Sequence, residues 1–221
     1  STEALTASGN NVRTDNVIST QFAWAVGGGS DEATPDTTGS TGVTISWADS
    51  QPTDISADFG SGGGQGTSTD REAFEGQDFT DPFQEVIDDY GFTDTDDNIS
   101  ISLSNLTVGE NYRFQAIAAR ETGNDAGQRL VLGTNQADPG IDYNFLTPGS
   151  ALPNGDGGGA LVIANFEANS TSQDITIFET GGGRTILNGA VLQTVPEPAA
   201  AGAAVGAVAL LAALGRRRRR G

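Results

Sequence analysis

Across residues 98–104 apolar and polar side chains alternate strictly, with Ile99, Ile101 and Leu103 on one face of an extended chain and Ser100, Ser102 and Ser104 on the other. A period of two is the mark of a half-buried strand. Residues 112–118 repeat it, placing Tyr112, Phe114, Ala116 and Ala118 on a common face. The turn-forming stretch 105–110 between them predicts two adjacent antiparallel strands. Residues 128–133, 160–166, 174–178 and 185–192 are further short apolar runs bounded by Gly, Asn, Asp or Ser, and residues 21–26 and 43–48 read the same way. One stretch departs from this period. After Asp81-Pro82, Phe83, Val86, Ile87 and Tyr90 fall at i, i+3, i+4 and i+7, which predicts one short helix with proline in its first turn.

Many short strands and a single helical insert predict an all-β domain over residues 1–194, a β-sandwich. Its central strands are expected at residues 99–103, 112–118 and 161–166, with Phe114 and Phe166 buried. The glycine-rich stretches 27–40, 60–66, 153–159 and 181–183 read as surface loops, because glycine loses much backbone entropy on ordering and brings no side chain to a core. No fixed-period repeat is present, so a solenoid is not expected.

Composition changes the picture by subtraction. The 221 residues contain no His, Cys, Met or Lys, and the formal charge is −18. Without His or Cys there is no Ser-His-Asp or Cys-His nucleophile, no thiol redox centre and no His/Cys zinc site. Without Lys there is no Schiff base and no Walker-type phosphate lysine. Five of the 11 Arg are consecutive, Arg216, Arg217, Arg218, Arg219 and Arg220, so residues 1–195 carry six Arg against 28 acids. A field of that sign repels phosphate backbones, and nucleic acid is not an expected partner.

The surviving chemistry is that of carboxylates and oxygen-ligated metal. Asp94, Asp96 and Asn98 place oxygens at the first, third and fifth positions of a calcium loop. Ile99 and Asn105 stand where that motif needs Gly and Glu, so the alternative of a solvated acidic turn stays open. A carboxylate pair for glycoside hydrolysis has no spacing in the sequence that would nominate it. Trp24, Trp47, Tyr90, Tyr112 and Tyr143 offer either core or a sugar-stacking face.

The first residue is Ser1 rather than Met, and the residues that follow lack the basic start and apolar run of a secretory signal peptide, so an initiator and leader are expected ahead of this numbering. At the other end Val195, Pro196, Glu197 and Pro198 lead into 17 uncharged residues, 199–215, and then into the five Arg. As a helix those 17 residues span roughly 25 Å, slightly under a hydrocarbon core of about 30 Å. A basic cluster behind an apolar span holds a C-terminus on the cytoplasmic side. The two prolines cannot continue the helix, leaving an extended peptide just outside the membrane.

In motif, apolar span and Arg cluster, in that order, residues 195–220 resemble the PEP-CTERM sorting signal of Gram-negative bacteria. The resemblance implies a sorting region at 195–221, a single transmembrane helix at 199–215, processing at Val195, Pro196, Glu197 and Pro198 by an exosortase, and a membrane stop at Arg216, Arg217, Arg218, Arg219 and Arg220. It implies transient residence in the inner membrane, then a place at the cell surface or in an extracellular biofilm matrix, often alongside exopolysaccharide.

Residues 83–193, with their runs Ile-Ser-Leu-Ser-Asn-Leu-Thr-Val-Gly-Glu-Asn-Tyr-Arg-Phe-Gln and Ala-Asn-Phe-Glu-Ala-Asn-Ser-Thr-Ser-Gln-Asp-Ile-Thr-Ile, also resemble a jelly-roll domain common in such surface proteins. In outline it is similar to galactose-binding-like modules. An Asp-Arg pair often found after the Tyr strand of those domains stands here as Ala119-Arg120. The resulting expectation is a non-enzymatic exported surface or matrix protein. The alternatives are a carbohydrate-binding module, with or without calcium, and, third, a carboxylate-based hydrolase.

Overall fold

The computed structural model describes residues 1–4, 12–26, 36–60, 63–67, 86–87, 89–93, 97–121, 127–143, 157–181 and 183–197. Its strands are β1 (Thr2–Ala4), β2 (Ser19–Ala25), β3 (Thr37–Thr38), β4 (Thr44–Ile45), β5 (Ile55–Asp58), β6 (Gly64–Thr67), β7 (Asp89–Phe92), β8 (Ile99–Leu103), β9 (Asn111–Glu121), β10 (Gln128–Val131), β11 (Gly140–Tyr143), β12 (Gly157–Glu167), β13 (Gln173–Glu179), β14 (Ile186–Leu187) and β15 (Gly189–Val195). They form one five-stranded sheet in the order β1-β12-β9-β15-β2 and a second in the order β11-β10-β13-β8-β5. Every ladder between these strands is antiparallel. A three-stranded sheet, β14-β7-β6, and the β3-β4 hairpin complete the ladders.

The protein is an all-β sandwich because the alternation along each strand gives both large sheets an apolar face. From the first sheet Phe22, Trp24, Phe114, Ala116, Val162 and Leu192 point inward, and from the second Ile99, Ile101, Leu103, Leu130, Ile175 and Ile177; all belong to one buried cluster. In β8 burial alternates residue by residue, as its sequence predicts. The outer face of the first sheet is covered as well. Ile117, Ala119, Leu161, Ile163 and Val191 lie under Val12, Ile45, Trp47, Val86 and Ile87 in a second buried cluster. Trp47 can be buried there because its indole N–H donates to Thr37 Oγ1 at 2.7 Å.

Four expectations are corrected. Strands β8 and β9 are not neighbours. They belong to different sheets and face each other across the core. Consecutive alternating segments usually pair, but here the connection crosses the sandwich, with Leu106 buried in the core. Its backbone bonds go to other connections: Ser104 N to Asp54 O, Leu106 N to Thr171 O and Gly109 N to Ala168 O. The crossing is clamped by Tyr112, whose hydroxyl accepts the Thr107 N–H at 2.9 Å. Removing that acceptor with Tyr112→Phe is expected to cost about 1 kcal/mol, read as a lower urea midpoint.

The helix is shorter than its periodicity. Val86 and Ile87 are helical, but Tyr90 already lies in β7, paired with Gly66; Phe83 lies outside the described residues. Three glycine-rich stretches contain strand residues where loops were expected. Gly64 and Gly66 pair with β7, and Gly157, Gly158 and Gly159 open β12 against β9. At Gly63 a Cβ would collide with the carbonyl oxygens of Phe59 and Phe92, so the missing side chain permits the close backbone approach. Thr37 and Thr38, within another such stretch, form β3. Finally, Phe166 is half-buried rather than core, stacked on Tyr112 with centroids 5.6 Å apart.

Candidate functional site

The residues singled out in the sequence fall in different places. Val195 is the last residue of β15 and half-buried, while Pro196 and Glu197 are exposed. Pro198, residues 199–215 and Arg216–Arg220 lie outside the described residues, and so do Asp94 and Asp96. Asn98 is half-buried ahead of β8, its backbone N–H donating to Asp97 Oδ1 at 3.0 Å. The neighbouring Asp97 carbonyl accepts the hydroxyls of Thr93 and Thr185, so this carbonyl is engaged in holding the chain. Among the described residues no three carboxylates converge on a metal position, and no helix is long and apolar enough to cross a membrane.

The candidate aromatic platform divides. Trp24, Trp47, Tyr112 and Tyr143 are buried, leaving Tyr90 half-buried. Tyr143 donates its hydroxyl to Gln128 Oε1 at 2.7 Å, and burial pushes its phenol well above the ordinary tyrosine range.

What the fold does bring together is a polar recess on the outer face of the first sheet, beyond the end of the apolar cover. In β9 the outward positions change character along the strand: Ile117 and Ala119 are apolar, whereas Gln115, Arg113 and Asn111 are polar. Register then sets their neighbours. Arg113 lies between Asn165 of β12 and Gln193 of β15, and Asn111 lies between Glu167 and Val195.

Gln115, fully buried, clamps the preceding chain onto this face: its Oε1 accepts Arg13 N–H at 2.8 Å and its Nε2 donates to Arg13 O at 2.9 Å and to Gln193 Oε1 at 2.8 Å. Arg113 extends the clamp, donating from Nη1 to Asp15 O at 3.0 Å and approaching Asp15 Oδ1 at 3.5 Å. Asn16 follows with φ 55°, a left-handed turn residue of the kind asparagine tolerates. The result is an open cavity of about 330 Å³ lined by Asn16, Asn111, Arg113, Asn165, Val195, Pro196 and Glu197.

Sequence reasoning missed Asn16, Asn111, Arg113 and Asn165. The signal available was the alternation itself, which puts Arg113 and Gln115 on the face of β9 opposite Tyr112 and Phe114. Nothing local said that Asn16 and Asn165 would join them.

No family model and no curated protein matches the chain. Among solved structures it is similar to the ANX2 ectodomain of Arabidopsis thaliana, at 14% identity over 81% of this chain and 50% of that one, with a TM-score of 0.52. The ANXUR2 extracellular domain of the same plant superimposes with a TM-score of 0.51 at 12% identity, over 81% of this chain and 49% of that one. A β-glucuronidase of Bacteroides uniformis matches over 85% of this chain and 19% of that one, at 13% identity and a TM-score of 0.49, too loose a superposition to argue from. The chain thus spans about half the length of the ectodomains it resembles. The likeness is one of fold: this is a β-sandwich domain of the kind found in those ectodomains.

Proposed function

We propose that the chain is a non-enzymatic exported protein of a Gram-negative bacterium, carried through the inner membrane by a PEP-CTERM signal, processed there by an exosortase, and displayed at the cell surface or in the extracellular matrix. The observation that carries this reading is the order of Val195, Pro196, Glu197 and Pro198, the uncharged span 199–215 and the five Arg 216–220. The end of the fold supports it. Strand β15 is hydrogen-bonded between β9 and β2, its last ladder pair is Val195 with Asn111, and the next two residues are exposed. The motif thus begins on the last residue of β15.

The sandwich itself reads as a jelly roll. Strands β2, β15, β9 and β12 form one four-stranded run and β8, β13, β10 and β11 the other. That is the order of a double Greek key, which supports the likeness to galactose-binding-like modules.

Processing is tested by mass spectrometry of the protein from a host with the cognate exosortase and from the same host without it. The expected result is loss of everything beyond the Pro-Glu-Pro region, Arg216–Arg220 included, only where the enzyme is present, and retention of the tail when Pro196 and Pro198 are both replaced by Ala. Intact Arg216–Arg220 on the mature surface protein overturns the reading.

A further inference from the structure

We propose that the recess around Arg113 is a binding site for a neutral saccharide, one or two sugar units of a hydroxyl-rich polymer. One donor in its wall has no acceptor. Arg113, which lines the recess, has a buried Nε without a hydrogen-bond partner among the described residues. Its cross-strand neighbour in β15, Gln193, is fully buried and does not line the recess. Orphan donors of this kind are rare in folded proteins and call for an oxygen to satisfy them. Only 13% of the Arg113 side chain is exposed, so the guanidinium forms a fixed wall rather than a solvated surface charge.

The remaining lining selects what that oxygen belongs to. Asn16, Asn111 and Asn165 each present a donor and an acceptor, and Glu197 presents acceptors only. A sugar hydroxyl gives and takes a hydrogen bond at one atom and matches this mixture. Val195 and Pro196 provide an apolar edge for the C–H face of a ring. The cavity of about 330 Å³ lies at the small end of ligand sites. Charge decides between neutral and acidic sugars. Arg113 is already balanced by Asp15 at 3.5 Å, Glu197 adds a second carboxylate to the rim, and the surrounding domain is strongly acidic. A uronate would enter against that field.

The recess shares Val195, Pro196 and Glu197 with the sorting motif, but its test is separate, because a chain that keeps its tail in the exosortase experiment still either binds sugar or does not. Isothermal titration of the full chain in detergent with xylopentaose, mannopentaose and cellopentaose, and with pentagalacturonate, tests it. The expected result is saturable binding of at least one neutral oligomer. Asn165→Trp, which fills the recess from a solvent-exposed strand position, should weaken that binding by about tenfold or more, and Arg113→Lys, which keeps the charge but removes Nε–H, should do the same. Near-ultraviolet circular dichroism establishes that each variant is folded, and the exposed Asn165 position keeps the test available if Arg113→Lys does not fold. No saturable binding of any neutral oligomer up to about 10 mM, wild-type affinity in folded Asn165→Trp, or tighter binding of pentagalacturonate than of the neutral oligomers overturns the proposal.

Discussion

Phe114→Ala is expected to lower the stability of the sandwich by about 3–5 kcal/mol, a large share of the roughly 5–15 kcal/mol available to a folded domain. Phe114 is 0% exposed in β9, which lies between β12 and β15. Its register partners are Ala164 and Leu192, and both belong to the same core cluster. Ala116 and Ala164 are too small to close the gap, and the ladders on both sides prevent the backbone from collapsing into it. The lost transfer energy and the residual cavity therefore add. Urea denaturation should show a much lower midpoint with an unchanged slope. Phe166→Ala provides the control, because the half-buried Phe166 ring leaves a hole open to water and should cost less. Equal losses for the two substitutions would contradict the burial described.

Asn188→Ala is expected to cost about 2–6 kcal/mol, because it strands two buried backbone groups at once and each unsatisfied group costs about 1–3 kcal/mol. Asn188, 1% exposed, sits between β14 and β15. Its Oδ1 accepts the Ala119 N–H and its Nδ2 donates to the Ile87 carbonyl, both at 2.7 Å. Its own backbone bonds Ile117 O and Val26 N. One residue therefore ties β9, the helical residues over the outer face and the end of β2. Amide hydrogen exchange is the direct check: Ala119 should lose protection in the variant more than Ala116, whose neighbours are unchanged. Asn188→Asp keeps the acceptor but buries a charge, which raises the folded-state pKa of the new carboxyl above its unfolded value. The variant's stability should accordingly fall as pH rises through that raised pKa and recover in acid. A pH-independent loss would show that the carboxyl stays in water.

How much of this was legible follows from the range of each interaction. Alternation is a local property, since successive side chains of an extended chain point to opposite faces whatever lies beyond them. Ile99, Ile101 and Leu103 therefore announced their burial, as did Tyr112 and Phe114. Pairing is not local. The same alternation is satisfied by a neighbour in one sheet or by a sheet facing it, so β8 and β9 read as a hairpin although their apolar faces meet across the core. Glycine misled for a related reason. Its intrinsic cost argues against a strand, yet Gly157, Gly158 and Gly159 take their place because β9 offers a ladder that extends as far as Glu121. Tertiary hydrogen bonding outweighs a propensity of at most about 1 kcal/mol per residue.

The sequence by itself determined that the domain is all-β and acidic, which side chains of its clearest strands turn inward, and where a linear segment of Pro-Glu-Pro, uncharged span and Arg cluster lies, because composition, period and linear motifs are carried by consecutive residues. Only the tertiary structure decided the order of the strands, the second apolar layer under Trp47 and the recess itself. Asn16, Arg113 and Asn165 come from a turn and two strands far apart in the chain, and they meet because cross-strand register, set by the burial of the opposite face, carries the polar face into place with it.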